Sequence, residues 1–538
     1  MSVSPSLSRR RLLGALAIGG AGALGAAVLP AASAAAAVPS PSGGVVPEGY
    51  PQLAPFATPG GLSQGSMVPQ MIAAFDYAAL GAYGAAGGGT AEVGEVSTTV
   101  DGILAAAGDL TTPFYDAWVD GFLSRADTTR AAADAAMTGG HPVSARHGYL
   151  RAASYYGQAL FFVLGTSRPD RETGIYRSAR DCWAAAAALM HPVFVPVQIP
   201  YAGPGGPLPG WFAAAPGTGP RPTVIAVNGS DGQLVDLYTF GGATALEHGF
   251  NVLLFEGPGQ GAMLFERDVP VRPDWEAVVT PVVDFLLQRP EVDPDRIALT
   301  GVSFGGGLVL RAAAHEPRLR AVVADPGSVR PSGPFSDLAG LPNADFQGYA
   351  QGLSPTDRAI LTSTLNKRAE LFGASYRADA LSGHLVDITG LYDTVATFDL
   401  DAATLAAVAV PALVLDYQDE QFFPGQSALA FAGLARSPGK QLYTFTRAQG
   451  AQLHDAPMAP QVHNDVIMDW LDDRFAEPRP APPPEAPGSH STQSGASELA
   501  ATGASVQALT ATAAAALVGG AALSAAGRRS AEHRSRDA

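Results

Sequence analysis

From residue 223 onward the chain alternates short apolar runs with amphipathic stretches. Residues 223–227, 251–255, 297–300, 321–324 and 412–415 are dominated by Val, Ile, Leu, Phe and Ala, and each closes on Gly, Asp, Glu or Pro. Such runs lack the in–out alternation of a half-solvated strand, so they predict central parallel strands buried on both faces. The stretches between them, such as 276–287 and 306–315, carry helical spacing. A strand–helix–strand series of this kind predicts an α/β chain with a doubly wound, mostly parallel sheet. Residues 442–445 predict its last strand. Upstream, 67–192 reads as a helical segment, with apolar groups three and four apart in 116–123 and 149–156. Two short strands, 195–199 and 210–214, open the sheet region 193–475. A longer, mostly helical insertion at 332–408 precedes the last-but-one strand and is placed to act as a lid.

Composition changes the picture mainly at the ends. A chain of 538 residues is long enough for a large core and two structural units. Its formal charge of −16 argues against nucleic acid or an anionic membrane as partner, since either calls for a basic surface. Cys182 is the only cysteine, so no intrachain disulfide forms, and its apolar surroundings at 182–185 predict an inert core thiol. Residues 1–37 carry a charged stretch, an apolar run and a small-residue cleavage pattern. Arg9-Arg10-Arg11-Leu12-Leu13 within them resembles a twin-arginine export signal, which implies the twin-arginine translocase as a partner. Residues 38–66 predict a flexible linker and 476–498 a Pro-rich spacer. Residues 499–538 begin with Leu499-Ala500-Ala501-Thr502-Gly503, continue through an Ala-rich apolar stretch and end in a basic tail. A stretch of about 24 mostly apolar residues can span a bilayer, and arginines after it resist translocation. The segment resembles a sortase sorting signal, which implies cleavage between Thr502 and Gly503 and attachment of Thr502 to cell-wall peptidoglycan.

The candidate chemistry centres on Gly301-Val302-Ser303-Phe304-Gly305. In a chain with 62 glycines that pattern alone means little, but here it follows a predicted strand and opens a predicted helix. Strand, tight turn and helix are what a nucleophile elbow requires, so Ser303 is the candidate nucleophile. A serine needs a base. The acid and then the histidine follow such an elbow in chain order, the histidine in a loop after the last strand. His454 lies in that loop. His463 falls in 461–475, where Val462, Val466 and Trp470 form a stripe, and is expected on a helix surface; His315 is expected as a charge at a helix C-terminus. The acid is expected beyond the strand 412–415. Asp416 lies too close to its end, and both Asp419 and Glu420 remain candidates to orient the imidazole. Oxyanion donors are expected from the N–H of Phe304 and from Ser230 or Asp231 in Asn228-Gly229-Ser230-Asp231-Gly232. Gly257-Pro258-Gly259-Gln260-Gly261 lacks the lysine and spacing of a phosphate loop and is expected as a structural turn beneath the site. No cofactor and no metal are called for.

These motifs occur in order, preceded by Tyr149-Leu150-Arg151-Ala152-Ala153-Ser154-Tyr155-Tyr156 and including Glu420-Gln421-Phe422-Phe423-Pro424. Together they resemble the branch of α/β-hydrolases that includes the fermentation–respiration-switch esterase-like proteins and 2,6-dihydroxypseudooxynicotine hydrolase, over roughly residues 67–475. The resemblance implies that 67–192 is a cap over the active site, with the helix of 149–156 near the pocket. It also implies hydrolysis of esters, or of carbon–carbon bonds in β-diketone-like substrates. Asn228-Gly229 stands where wider relatives carry His-Gly. The expectation is an exported, wall-anchored serine hydrolase acting on a small acyl or carbonyl substrate, an ester first. The alternatives are a carbon–carbon hydrolase, a peptidase, or a surface-binding module without catalysis.

Overall fold

The computed structural model describes residues 73–107 and 112–477. The export signal, the linker, nearly all of the Pro-rich spacer and the sorting signal with Thr502 and Gly503 lie outside the described residues. No described helix is long and apolar enough to cross a membrane.

Among the described residues five helices come first: α1 (Ala73–Gly84), α2 (Val93–Ala107), α3 (Thr112–Thr138), α4 (Pro142–Phe162) and α5 (Glu172–Ala187). On α3, Trp118, Val119, Phe122, Ala126, Thr129 and Ala133 recur at helical spacing and are buried. They pack with Phe75 and Phe162, whose rings stack at 4.0 Å. The tyrosines of α4 turn into this layer: Tyr149 donates to Asp134, Tyr155 to Glu95 and Tyr156 to Asp127. Their bulk is core, each hydroxyl finding the carboxylate a buried phenol needs. Cys182 is buried as expected, and burial pushes its thiol up to about 12.

The eight strands are β1 (Val195–Ile199), β2 (Leu208–Ala213), β3 (Arg221–Val227), β4 (Asn251–Phe255), β5 (Val292–Val302), β6 (Ala321–Asp325), β7 (Ala412–Tyr417) and β8 (Gln441–Phe445). They form one sheet in the order β1-β2-β4-β3-β5-β6-β7-β8. Only β2 runs against its neighbours. β4 and β6 are buried at every position, which is why their sequences read as continuous apolar runs. α6 (Glu276–Leu287) and α7 (Gly305–Ala313) follow β4 and β5. The helical segment and the sheet share one hydrophobic core.

The insertion supplies α8 (Asn343–Gln351), α9 (Pro355–Ala369), α10 (Ala374–Leu381) and α11 (Leu391–Ala396) around a small core of its own, including Phe346, Leu361 and Leu365. A buried ionic cluster ties it to α5. Lys367 Nζ meets Glu370 at 2.7 Å, and Arg377 meets Glu370 at 2.8 Å and also bonds Glu172. Two buried cations face two buried carboxylates, and Arg377 also meets the exposed Asp268 at 3.1 Å, so the buried charges are paired, which is the condition for keeping charge out of water.

The last helices among the described residues are α12 (Gln426–Gly433) and α13 (Pro460–Ala476). On α13 the buried face is His463, Asn464, Ile467, Met468, Trp470, Leu471 and Phe475, whereas Val462 is 36% exposed. The expected surface position of His463 is therefore wrong. Its ring is fully buried, and Nε2 lies 2.6 Å from Asp325 Oδ2 at the end of β6. Burial opposes charge on His463, yet the Asp325 carboxylate holds its pKa above the usual imidazole value. A carboxylate buried at the end of a central strand needs partners within the protein, and His463 and the hydroxyl of Tyr417 serve it.

Candidate active site

Ser303 stands on the turn between β5 and α7 with φ of 57°, left-handed backbone that a residue with a Cβ rarely adopts. The flanking glycines follow from crowding. A Cβ on Gly301 would lie 2.3 Å from the Gly305 carbonyl oxygen, and one on Gly305 would lie 2.7 Å from the Asn228 carbonyl oxygen. The turn is held from below, as Ser303 N donates to the Asp325 carbonyl at 2.5 Å and the Ser328 hydroxyl donates to the Ser303 carbonyl at 3.0 Å.

The loop after β8 brings His454 Nε2 to 2.9 Å from Ser303 Oγ. The loop after β7 brings Glu420 Oε2 to 3.0 Å from His454 Nδ1. Of the two acid candidates only Glu420 reaches the imidazole; Asp419 turns outward to a part-exposed ion pair with Arg447 at 2.6 Å. Burial disfavours charge on Glu420, but the imidazole and the N–H groups of Phe422 and Phe423, at 2.8 and 3.0 Å, outweigh it and hold the carboxyl below its ordinary range. Asp416, bonded by the Thr444 hydroxyl at 3.3 Å, takes no part. His315 is exposed, with Nδ1 3.1 Å from the Arg311 carbonyl.

A third group was not anticipated. Asp455 Oδ2 lies 3.1 Å from the same Nε2 that faces Ser303. Asp455 and Ala456 both have positive φ, 58° and 45°, so the chain reverses sharply after His454 and turns the aspartate back to the ring. Burial alone would push the imidazole down, but Asp455 and then Glu420 lift it to about 10. Burial pushes the Asp455 carboxyl up to about 6. No motif marks this residue; adjacency to a candidate base was the one available hint.

Gly229 faces the nucleophile so closely that a Cβ there would lie 2.7 Å from Ser303 Cβ. This contact sets the 228–232 loop, with Ser230 and Asp231, beside Ser303. Asn228 shapes the loop, accepting from Gly229 N at 3.0 Å and donating to the Gln233 carbonyl at 3.1 Å. Gln260, from the expected structural turn, braces it by donating to the Asn228 carbonyl at 2.6 Å. A cavity of about 150 Å³ opens above Ser303. Its roof comes from α1 and α4, through Tyr77, Gly81, Ser154, Gln158 and Phe161, and its near wall from Phe422, His454 and Asp455. The Tyr77 hydroxyl donates to the His454 carbonyl at 2.8 Å, tying roof to base loop.

A sheet of this order, one antiparallel strand, and an elbow serine reached by a histidine from the loop after the last strand define an α/β-hydrolase. The comparisons agree. The family described as Esterase FrsA-like matches residues 125–331. The α/β-hydrolase ucsC of Acremonium sp. is 38% identical over 242 residues, which make up 42% of this chain and 48% of that protein. The α/β-hydrolase xenA of Xenoacremonium sinensis is 33% identical over 297 residues, or 52% of this chain and 65% of that one. The chain thus spans about half to two thirds of these relatives. Among solved structures, the crystal structure of 2,6-dihydroxy-pseudo-oxynicotine hydrolase is similar in fold, with a TM-score of 0.50 and 21% identity over 67% of this chain and 89% of that one.

Proposed function

We propose that the protein is a serine hydrolase that cleaves a small acyl or carbonyl substrate, an ester first. The observation that carries this reading is the unbroken line from Glu420 through His454 to Ser303. In this reading Glu420 holds Nδ1–H so that Nε2 faces the serine, and the neutral imidazole takes the Oγ proton as Ser303 attacks the carbonyl. Backbone N–H groups of Phe304 and of Ser230 or Asp231 receive the developing oxyanion. His454 then protonates the leaving group, and water attacking the acyl-enzyme by the same route restores Ser303. A cavity of about 150 Å³ suits a reacting group about the size of benzene, which favours a small acyl group over a peptide.

A fluorophosphonate probe tests the reading: it should label the wild type at Ser303 and not the Ser303→Ala variant. A wild type that resists the probe, or equal labelling of the variant, would refute it. A panel of short esters, β-diketones and peptides identifies the bond. From the terminal sequence signals we further propose export by the twin-arginine route and sortase attachment through Thr502. Recovery of the protein from culture fluid while sortase is intact would overturn that placement.

A further inference from the structure

Asp455 occupies a position where a carboxylate is costly. Its side chain is only 14% exposed, and its Oδ2 competes with Ser303 for His454 Nε2. Its own backbone and that of Ala456 take strained positive φ values to place it there. Strain of this kind clusters at active sites, where the surrounding fold holds it for a use. Acylation of Ser303 gives no such use. Glu420 already orients the imidazole from Nδ1, at 3.0 Å, and a negative charge at Nε2 favours the proton that a base must lack.

The second half of the cycle differs in one chemical respect. There a water replaces Ser303 as the donor to Nε2, and a water has a second hydrogen to place where the serine hydroxyl has none. Ser303 Oγ and Asp455 Oδ2 lie 2.9 and 3.1 Å from the same nitrogen. A water that donates to Nε2 from the side of Ser303 therefore stands beside the Asp455 carboxylate, and both residues line the cavity. Asp455 Oδ1 accepts no hydrogen bond among the described residues, so no other donor draws the carboxylate away. Two other polar groups of the cavity are less suited. The Tyr77 hydroxyl is committed to the His454 carbonyl, and burial with the nearby Asp455 charge holds it neutral, so it is the weaker acceptor. Asp231 also has an oxygen without a partner, but its other oxygen takes the Ser230 hydroxyl at 2.8 Å rather than the imidazole.

We propose that Asp455 is a further catalytic residue, acting in deacylation: its carboxylate accepts the second hydrogen of the hydrolytic water and aims that water at the acyl carbonyl. The water oxygen bonds to the acyl carbon as one proton passes to Nε2, while the remaining O–H stays on Asp455. The bond from that carbon to Oγ then breaks, Nε2 returns the proton to Oγ, and the carboxylic acid leaves. The inference rests on the serine hydrolase reading of the same site.

The test is the partition of the acyl-enzyme between water and added methanol, with 4-nitrophenyl butyrate as substrate. Methanol gives its single hydroxyl hydrogen to Nε2 and has none left for Asp455, so the carboxylate favours water alone. Initial rates of butyrate and methyl butyrate formation give the ratio. Both nucleophiles use the same Nε2, so the ratio cancels changes in folding, in acylation and in the protonation of His454. Asp455→Asn and Asp455→Ala should each raise methyl butyrate relative to butyrate by about 10- to 100-fold, the range of one charge-assisted hydrogen bond. Asp231→Asn, whatever it does to the rate, should keep the wild-type ratio. A ratio unchanged or lowered in the Asp455 variants, or one that rises in Asp231→Asn instead, overturns the proposal and leaves the hydrolase reading intact. Failure of the wild type to react with a fluorophosphonate removes the reading on which the proposal rests.

Discussion

The aspartate that follows the candidate base in the chain makes the sharpest prediction. Asp455 and Ser303 compete for His454 Nε2, at 3.1 and 2.9 Å. A general base works only as the neutral imidazole, so activity appears as pH rises through the imidazole pKa. With that value lifted to about 10 and the Asp455 carboxyl raised to about 6, the two titrate as a pair and the acid limb lies alkaline of an ordinary histidine. Asp455→Asn keeps the shape and removes the charge. A charge-assisted hydrogen bond is worth about 1.5–3 kcal/mol. One pKa unit is about 1.4 kcal/mol, so the limb should move down by about one to two units. Below the limb, the fraction of neutral imidazole rises by the same factor, so kcat/KM at neutral pH should increase about 10- to 100-fold. A pH-stat profile of kcat/KM on a short ester, taken from mildly acidic to strongly alkaline pH, reads the shift. A limb that stays put or moves upward would refute the reasoning.

Four further substitutions have outcomes that follow from the geometry. Glu420→Gln should lower kcat by about 10³–10⁴, because the imidazole loses its orienting acceptor. Asp419→Asn, which removes only a part-exposed pair, should change stability by less than about 1 kcal/mol and leave kcat near wild type; the reverse ranking would reassign the acid. Gly229→Ala drives a methyl group against Ser303 Cβ, at 2.7 Å before relaxation. It should slow fluorophosphonate labelling by about tenfold or more, since small misplacements of a nucleophile are costly; unchanged labelling would show that the loop yields. His463→Ala leaves the buried Asp325 with only Tyr417, and urea denaturation should show a loss of about 3–5 kcal/mol; a loss below about 1 kcal/mol would mean that water replaces the ring.

The sheet was legible in the sequence because its central strands are buried on both faces, so apolar runs map directly onto β3 to β7. Ser303 and His454 were legible for a related reason: an elbow needs glycine on either side, and a base needs a loop after the last strand. Glu420 and Asp419 are adjacent, and only the turn after β7 decides which one faces inward. On α13 the stripe through Val462, Val466 and Trp470 caught only one edge of the buried face, which holds Trp470 and continues through His463, Ile467 and Leu471. A step of one residue turns a helix by about 100°. That moved His463 from core to surface in the sequence reading, although Asp325, its partner, sits 138 residues away. Asp455 and Tyr77 carry no pattern at all; what places them beside His454 is a strained turn and a roof helix that meet only in the folded chain.

The bond between Tyr77 and the His454 carbonyl joins positions 377 apart, nearly the whole described chain. During synthesis Ser303 emerges long before His454, and the roof helix waits longer still for the loop it must grip. Closures at such separations come late in folding. The growing chain therefore carries a dormant serine, without base or roof, until the last loops are in place. In the proposed reading, a chain interrupted before His454 lacks its base and stays inert.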